Sequence, residues 1–388
     1  MDLELSDKQQ SAVKDILRWY NEGNNQYITL GGYAGTGKTT LMGFLSKVLR
    51  DRDKKLKIAF CSFTGKASRV LQRKLRDTSS IYKYDYTGTI HRLIYRPVTD
   101  DKGEVINWER MATDDFLYDL IIVDEASMIT RDIWNDLLSF NKPILAVGDH
   151  GQLPPIDGNF NLMENPQLRL EEIYRQQINN PIIKVSEIAR KYGKIPVEEF
   201  SKTVKKLDKK KPDTGELLER MFESYDTDTM VLTGYNRSRV RLNEGIRQLL
   251  GFQTPTPSQG DRVICLKNNH KEEIFNGMMG TILNVVEGNM DDYEYYDAEI
   301  ELDEEDYPYF GKISKDQFGQ QSTSSNVVEG IDLFDFGYAL TVHKAQGSQA
   351  KRVVVFEERF SRMDDEMWRR WLYTAVTRAV EELYIVGE

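Results

Sequence analysis

The stretch Gly32–Thr40, GYAGTGKTT, constrains this chain more than any other. It matches G-x-x-x-x-G-K-[ST] through Gly32, Gly37, Lys38 and Thr39. The apolar run Tyr27–Leu30 precedes it, and Leu41, Phe44, Leu45, Val48 and Leu49 follow at helical spacing. A strand that feeds a glycine-rich turn and then a helix aims backbone N–H groups at a phosphate. Lys38 would neutralise phosphate charge, and Thr39 would offer a hydroxyl to Mg²⁺. Gly32, Gly35, Gly37, Lys38, Thr39 and Thr40 are therefore the candidate nucleotide loop, with ATP and Mg²⁺ as the implied cofactors.

The pattern around this loop predicts the fold. Ser6 is placed as N-cap for a helix carrying Val13, Ile16, Leu17 and Tyr20. Strands are expected at Lys57–Phe63, Leu120–Val123 and Ile144–Val147, with helices at Lys66–Leu75 and Arg131–Leu138 between them. Apolar strands alternating with amphipathic helices specify a parallel, doubly wound α/β sheet. A second series has strand Met230–Thr233, then a helix with Leu242, Ile246, Leu249 and Leu250. It continues with strands Phe336–Val342, Arg352–Phe356 and Leu383–Val386 and helix Asp365–Ala379. Two α/β units with a cleft between them are the expected architecture. Trp368 and Trp371 read as core on the last helix, whereas Trp19 has polar neighbours and no evident role.

Two stretches break the alternation. Residues 93–112 place Asp100-Asp101-Lys102-Gly103 between two β-prone arms, a hairpin. Residues 260–335 hold short β-rich runs with Asn276-Gly277 as a turn, a small inserted barrel or sheet. The lysine-rich segment 201–214 reads as a solvated loop or helix face, with a nucleic-acid backbone contact as the alternative.

Composition excludes several classes. No run of about 18 apolar residues exists, so a membrane-spanning helix is not expected. The polar, acidic start MDLELSDKQQ is unlike a secretory leader, and a cytosolic location is expected. Cys61 and Cys265 are too few for a disulfide framework or a cysteine-rich zinc site. His91, His150, His270 and His343 show no metal-ligand spacing. The net charge of −10 is local: residues 286–310 hold 11 acidic residues and no Lys or Arg. Outside that block 52 basic residues face 51 acidic ones, so the body is neutral and can still carry a basic groove.

The third expected strand ends in Asp124-Glu125. A carboxylate there can hold Mg²⁺ and its neighbour can polarise an attacking water. The fourth ends in GDHGQLPPI, where Gln152 could reach a γ-phosphate. With these motifs in order over nearly the whole chain, the sequence resembles a superfamily 1 helicase of the RecD-like and Dda-like branch, superfamily 1B. LSDKQQSA resembles the Q motif, which implies that Gln9 reads the adenine edge. SFTGKAS and TGTIHRL resemble motifs Ia and Ib, so that Thr64, Lys66 and His91 would touch single-stranded DNA. DEAS and GDHGQLPP resemble motifs II and III. LEEIYRQ resembles motif IV, which implies Arg175 on the γ-phosphate and Tyr174 on adenine. ALTVHKAQGSQ resembles motif V, with Thr341, His343 and Lys344 toward DNA, and LYTAVTRA resembles motif VI, with Arg378 as a second arginine finger.

The resemblance implies two RecA-like P-loop motor domains. The first would comprise 1–92 and 113–175, the second 176–285 and 336–388. The hairpin 93–112 would be a strand-separating pin. The acidic block 286–335, beginning as early as 260, would be a Src-homology-3-like barrel. The implied catalytic set is Lys38, Glu125, Gln152, Arg175 and Arg378. The implied partners are single-stranded and tailed duplex DNA, with a single-strand-binding or replisome protein, the chain acting as a monomer. A translocase or loader that does not separate strands, and a P-loop kinase or nucleotide switch, are the competing readings. The second lacks a use for the second α/β unit.

Overall fold

The computed structural model describes residues 5–99, 105–155, 160–172, 179–269, 271–290, 293–303, 305, 307–325 and 328–388. The chain divides into two compact units, Met1–Val98 with Trp108–Arg190, and Thr99–Asn107 with Lys191–Glu388.

The first unit opens with α1 (Asp7–Glu22), started by a capping box in which Ser6 and Gln9 each bond the other's backbone N–H. There follow β1 (Tyr27–Gly32), α2 (Lys38–Arg52), β2 (Ile58–Ser62), α3 (Gly65–Asp77), β3 (Tyr86–Thr89) and α4 (Ile90–Ile94). Next come β4 (Tyr95–Thr99), β5 (Val105–Arg110), β6 (Leu120–Asp124), α5 (Arg131–Leu138), β7 (Ile144–Gly148), β8 (Leu168–Leu170) and α6 (Pro181–Tyr192). Six strands form one parallel sheet in the order β3-β2-β6-β7-β1-β8. Its central strands are apolar throughout because both faces are covered. Ile16, Leu41, Leu45 and Leu75 pack one face, and Ile90, Ile94, Trp134 and Leu137 pack the other. Trp19 lies against the first of these layers and donates its indole N–H to Asn25 O at 2.7 Å, which accounts for it. β4 and β5 pair as a separate two-stranded sheet. The expected turn Asp100–Gly103 lies outside the described residues.

In the second unit the chain runs β9 (Glu199–Ser201), β10 (Val204–Asp208), α7 (Pro212–Glu223), β11 (Thr229–Thr233) and α8 (Asn236–Leu249). Five strands follow: β12 (Arg262–Cys265), β13 (Met279–Met290), β14 (Tyr293–Leu302), β15 (Tyr309–Ser314) and β16 (Phe334–Phe336). β17 (Ala339–Thr341), β18 (Ala350–Phe356), α9 (Asp365–Val376) and β19 (Ala379–Gly387) end the chain. The main sheet has the order β17-β11-β18-β19-β10-β9 and is parallel except at β9.

The inserted strands form an antiparallel sheet, β15-β14-β13-β12-β16, and a bridge between Ile313 and Asp332 links its two edges. It is a small five-stranded barrel with its own apolar interior of Val263, Ile282, Ile300, Ile313 and Phe334. Asn276-Gly277 makes the expected turn, with Gly277 at φ 94°.

Two expectations are corrected. Phe336–Val342 is not one strand. β16 belongs to the barrel and β17 to the main sheet, and they separate at Gly337, where a Cβ would stand 2.9 Å from the Val263 backbone. Nor is 201–214 a solvated loop. Val204–Asp208 is an interior strand, and buried Lys206 pairs with Glu357 at 2.6 Å.

The barrel is tied to the motor sheet by one face of α8. Arg239, Asn243 and Arg247, four residues apart, are all buried. Arg239 pairs with Asp335 at 2.6 Å. Asn243 donates to Phe336 O and accepts from the Ala339 N–H. Arg247 grips both oxygens of Asp261 at 2.8 and 2.9 Å and donates to Thr254 O and Thr256 O. Tyr338 adds a hydroxyl to the same carboxylate. Removing one member of such a pair leaves the other charged and buried, which costs about 3–5 kcal/mol. Asp261→Ala should therefore lower stability to urea by about that amount, and Arg247→Met combined with it should recover part of the loss. An Asp261→Ala chain as stable as wild type would show that the clamp is not needed.

Candidate functional site

Parallel α/β sheets place their ligands beyond the carboxyl ends of the strands. In the first unit those ends gather the sequence candidates in two neighbouring groups. Gly32–Lys38 follows β1, Asp124-Glu125 ends β6, and Asp149–Gln152 follows β7, all on adjoining strands. Thr64 and Lys66 follow β2, and His91 follows β3, on the other side of β6. Register fixes the second group: Ser62 lies opposite both Thr89 and Asp124.

The nucleotide loop is held by its own short contacts. Gly35 and Gly37 adopt φ of 78° and 79°, the left-handed region that glycine enters without strain. Gly32 admits no side chain, since a Cβ would sit 2.7 Å from Thr36 Oγ1 and 3.1 Å from Lys38 Cγ. The Lys38 ammonium donates to Gly32 O at 2.6 Å and Tyr33 O at 3.1 Å. Gln9 is buried, donating to Thr36 O at 3.0 Å and accepting from the Ser6 N–H. It therefore fastens α1 to the loop, and each end of its amide keeps one hydrogen-bonding site. Thr39 and Thr40 begin α2, half-buried.

Burial raises the Asp124 carboxyl above the usual range, while the Lys38 charge and the Glu125 amide N–H oppose that rise. Thr39 and Asp124 are hard oxygen donors of the kind Mg²⁺ takes in company with phosphate and water. Among the described residues no cluster of three His, Cys, Asp or Glu could hold a metal by itself. The pair thus fits an ion brought with a nucleotide. Glu125 has φ 52° and ψ 39°, a left-handed backbone that a non-glycine residue adopts at a cost of about 1–3 kcal/mol. Strain of this kind concentrates at reactive positions.

Motif III is ordered by Asp149, which is buried and accepts from the Gly151 N–H at 2.9 Å. Gln152 is buried beside it. A stack absent from the sequence reading joins motif III to the nucleotide loop. His150 lies 4.2 Å from the Tyr33 ring, and the Arg190 guanidinium lies 3.7 Å over that ring. Both His150 ring nitrogens are buried without a hydrogen-bond partner among the described residues, and burial lowers its pKa. Nothing in the spacing of Arg190 signals this contact.

The remaining candidates differ in setting. Thr64 Oγ1 caps α3 by accepting from the Ala67 N–H, and Lys66 is half-buried on that helix. His91 packs between Phe63 and Tyr95. In the second unit Thr341 ends β17, and His343 and Lys344 follow it. Burial lowers the His343 pKa and so favours its neutral imidazole. The Arg378 guanidinium is buried and donates to Thr374 O, Ser348 O and Thr377 Oγ1. Tyr174 and Arg175 lie outside the described residues.

Residues 4–209 match the family model for an AAA domain, and residues 336–386 match that for a UvrD-like helicase C-terminal domain. The chain is 29% identical to the ATP-dependent RecD2 DNA helicase of Deinococcus radiodurans over 99% of its own length and 49% of that protein. It is 28% identical to the ATP-dependent DNA helicase dda of Enterobacteria phage T4, over 41% of this chain and 34% of that one. It thus spans about half, or less, of the length of these relatives. A crystal structure of Pif1 helicase from Bacteroides with ADP-AlF3 and ssDNA shares the fold, with a TM-score of 0.53 and 16% identity over all of this chain and 93% of that one. No helix among the described residues is long and apolar enough to cross a membrane.

Lys344 supplies a test by pH. Burial and then the nearby Arg239 charge lower its pKa to about 8, against the opposing pull of Asp335. Below pH 8 the folded chain carries the penalty of this buried ammonium. Between pH 8 and the ordinary lysine value the unfolded chain binds the extra proton, so the penalty fades as pH rises. Lys344→Met has no such group. Its stability advantage over wild type at pH 7 should narrow by pH 9.5 in paired denaturation curves, and parallel curves would contradict the shift.

Proposed function

We propose that this chain, a member of the AAA-domain family, is a superfamily 1 ATP-dependent DNA helicase of the RecD-like and Dda-like branch, moving 5′→3′ along a single strand. The observation that carries the reading is the arrangement along one sheet edge. Strand ends β1, β7 and β6 hold the nucleotide group, and the adjoining ends β2 and β3 hold Thr64, Lys66 and His91. One rigid sheet would then feel both the nucleotide and the strand.

ATP is assigned to the loop Gly32–Thr40, with Gln9 at its base. Lys38 would hold phosphate charge once it exchanges the carbonyls of Gly32 and Tyr33 for phosphate oxygens. Thr39 and Asp124 would hold Mg²⁺, which supplies charge neutralisation on the phosphates when bound. Glu125 would orient and deprotonate the attacking water, its strained backbone aiming the carboxylate out of the strand. Gln152 would report the γ-phosphate to motif III. Arg175 and Arg378 are assigned to the transferring phosphoryl charge by their motifs, and Tyr174 to adenine. Thr341, His343 and Lys344 would extend the strand contacts into the second unit. Lys344 is suited to that task because a phosphate would repay the cost of its buried charge and raise its pKa. A single chain bearing every motif is consistent with a monomeric enzyme acting on single-stranded and tailed duplex DNA.

The deciding experiment compares ATP-dependent unwinding of 5′-tailed and 3′-tailed duplexes. The 5′-tailed substrate should open and the other should not. DNA-stimulated hydrolysis without opening of either would favour a translocase or loader. Lys38→Ala should abolish hydrolysis. Glu125→Gln should still bind ATP but lose turnover, because an amide hydrogen-bonds water without accepting its proton. Turnover near the wild-type rate would remove Glu125 from the role.

The two-stranded sheet of β4 and β5 is proposed as the strand-separating pin. Trp108 is half-buried on β5 and suits an anchoring role better than a wedge. Replacing residues 100–104 by a short Gly-Ser link should spare DNA-stimulated hydrolysis and depress unwinding of the 5′-tailed duplex. Unwinding at the wild-type rate would reject the pin and leave the motor assignment standing.

A further inference from the structure

The second unit has its own strand–turn–helix at the position that the nucleotide loop takes in the first. β11 ends at Thr233, the turn Gly234-Tyr235 follows, and α8 begins at Asn236. Its backbone N–H groups are already spoken for. One Glu358 oxygen accepts from the amides of Gly234 and Tyr235, each at 3.0 Å, and from the Thr233 hydroxyl. The other accepts from the Ser238 hydroxyl. An internal carboxylate thus fills the place where a phosphate would dock, so this turn is closed to nucleotide. Four hydrogen bonds to one carboxylate hold it in place.

The outward groups are aromatic and basic. The Tyr235 ring meets Phe360 edge-on with centroids 4.6 Å apart, and its hydroxyl donates to Arg359 O. The Arg237 guanidinium lies over the Tyr235 ring at 4.9 Å and is solvent-exposed. Phe360 therefore braces the edge of Tyr235, and the Arg237 guanidinium covers the Tyr235 ring. Arg359 is neutralised by Asp365 at 2.6 Å, whereas Arg237 and the exposed Arg362 form no ion pair among the described residues. The stack adjoins motif V directly: Thr233 lies opposite Thr341, and the Val342 N–H donates to Thr233 O.

We propose that the Tyr235–Arg237 turn, with Phe360 behind it, is a single-strand contact of the second unit, in which a base stacks on the Arg237–Tyr235 layer and Arg237 meets the neighbouring phosphate. Glu358 is its positioning residue. Three features favour a single strand over other ligands. An aromatic layer capped by arginine accepts any base. The uncompensated cations suit a phosphate chain. The surface continues the strand-end row that carries Thr341, His343 and Lys344. The inference rests on the helicase reading.

The test measures binding of a fluorescein-labelled oligothymidylate by anisotropy at several salt concentrations, with the full chain. Arg237→Ala should weaken binding and lower the slope of log affinity against log salt by about 0.7, the value for one lost single-strand phosphate contact. Arg237→Lys should restore the slope and not the full affinity, because it keeps the charge and loses the plane. Tyr235→Ala should weaken binding about 5- to 100-fold, with the salt slope little changed, and Tyr235→Phe should bind like wild type. Thermal unfolding of each variant separates lost contact from lost fold. Arg237 is exposed, so its variants keep the test valid if Tyr235→Ala unfolds. A wild-type chain that binds, with Arg237→Ala matching it in affinity and slope, would overturn this inference and leave the helicase reading intact. A wild-type chain that does not bind would overturn both.

Discussion

A carboxylate withdrawn from water is stable only against fixed donors, and the second unit is assembled on that requirement. Asp261 and Asp335 are held by Arg247 and Arg239 of α8, and Glu357 by Lys206 of β10. Glu358 is held by the turn at the start of α8. Each contact joins elements distant in sequence, and three of the four converge on one helix. Pairs of this kind contribute little net stability relative to apolar packing, but they tolerate few alternative arrangements. The barrel, the strand ends and the turn before α8 are thereby set in one frame.

The first unit uses charge in the opposite way. Lys38 has only carbonyl oxygens for partners, half-buried Asp124 has its pKa raised by burial, and His150 keeps two ring nitrogens without hydrogen bonds among the described residues. These groups are incompletely compensated, and a phosphate with its metal ion would complete them. The corresponding turn in the second unit carries its own anion in Glu358. The two units thus share a strand–turn–helix plan and differ in whether the anion comes from outside or from the chain.

Legibility followed how local each signal was. The nucleotide loop, the acidic pair after β6 and the Ser6 cap depend on neighbours within a few residues, and they stand where the pattern placed them. The parallel sheets were legible because strands covered on both faces read as unbroken apolar runs. Long-range pairing hid the rest. Nothing near Arg239 and Arg247 on their helix announces the partners Asp335 and Asp261 that the barrel brings. Lys206 lies in a lysine run, and its buried ammonium meets Glu357, which follows β18, two strands away in the sheet. The apolar stretch Phe336–Val342 has no break in hydropathy where it changes sheets, and Gly337 was its one signal. The Arg190–Tyr33–His150 stack joins three separate segments, with no spacing to announce it.

The left-handed backbone of Glu125 bears on more than the role proposed for its side chain. A left-handed conformation is one that glycine or asparagine occupies with less strain than glutamate. The fold therefore bears a standing conformational load at the position proposed to supply the reactive carboxylate. Selection of this chain for thermal resistance alone would drift toward relieving that load, and under the proposed role the more robust descendants would be the inert ones.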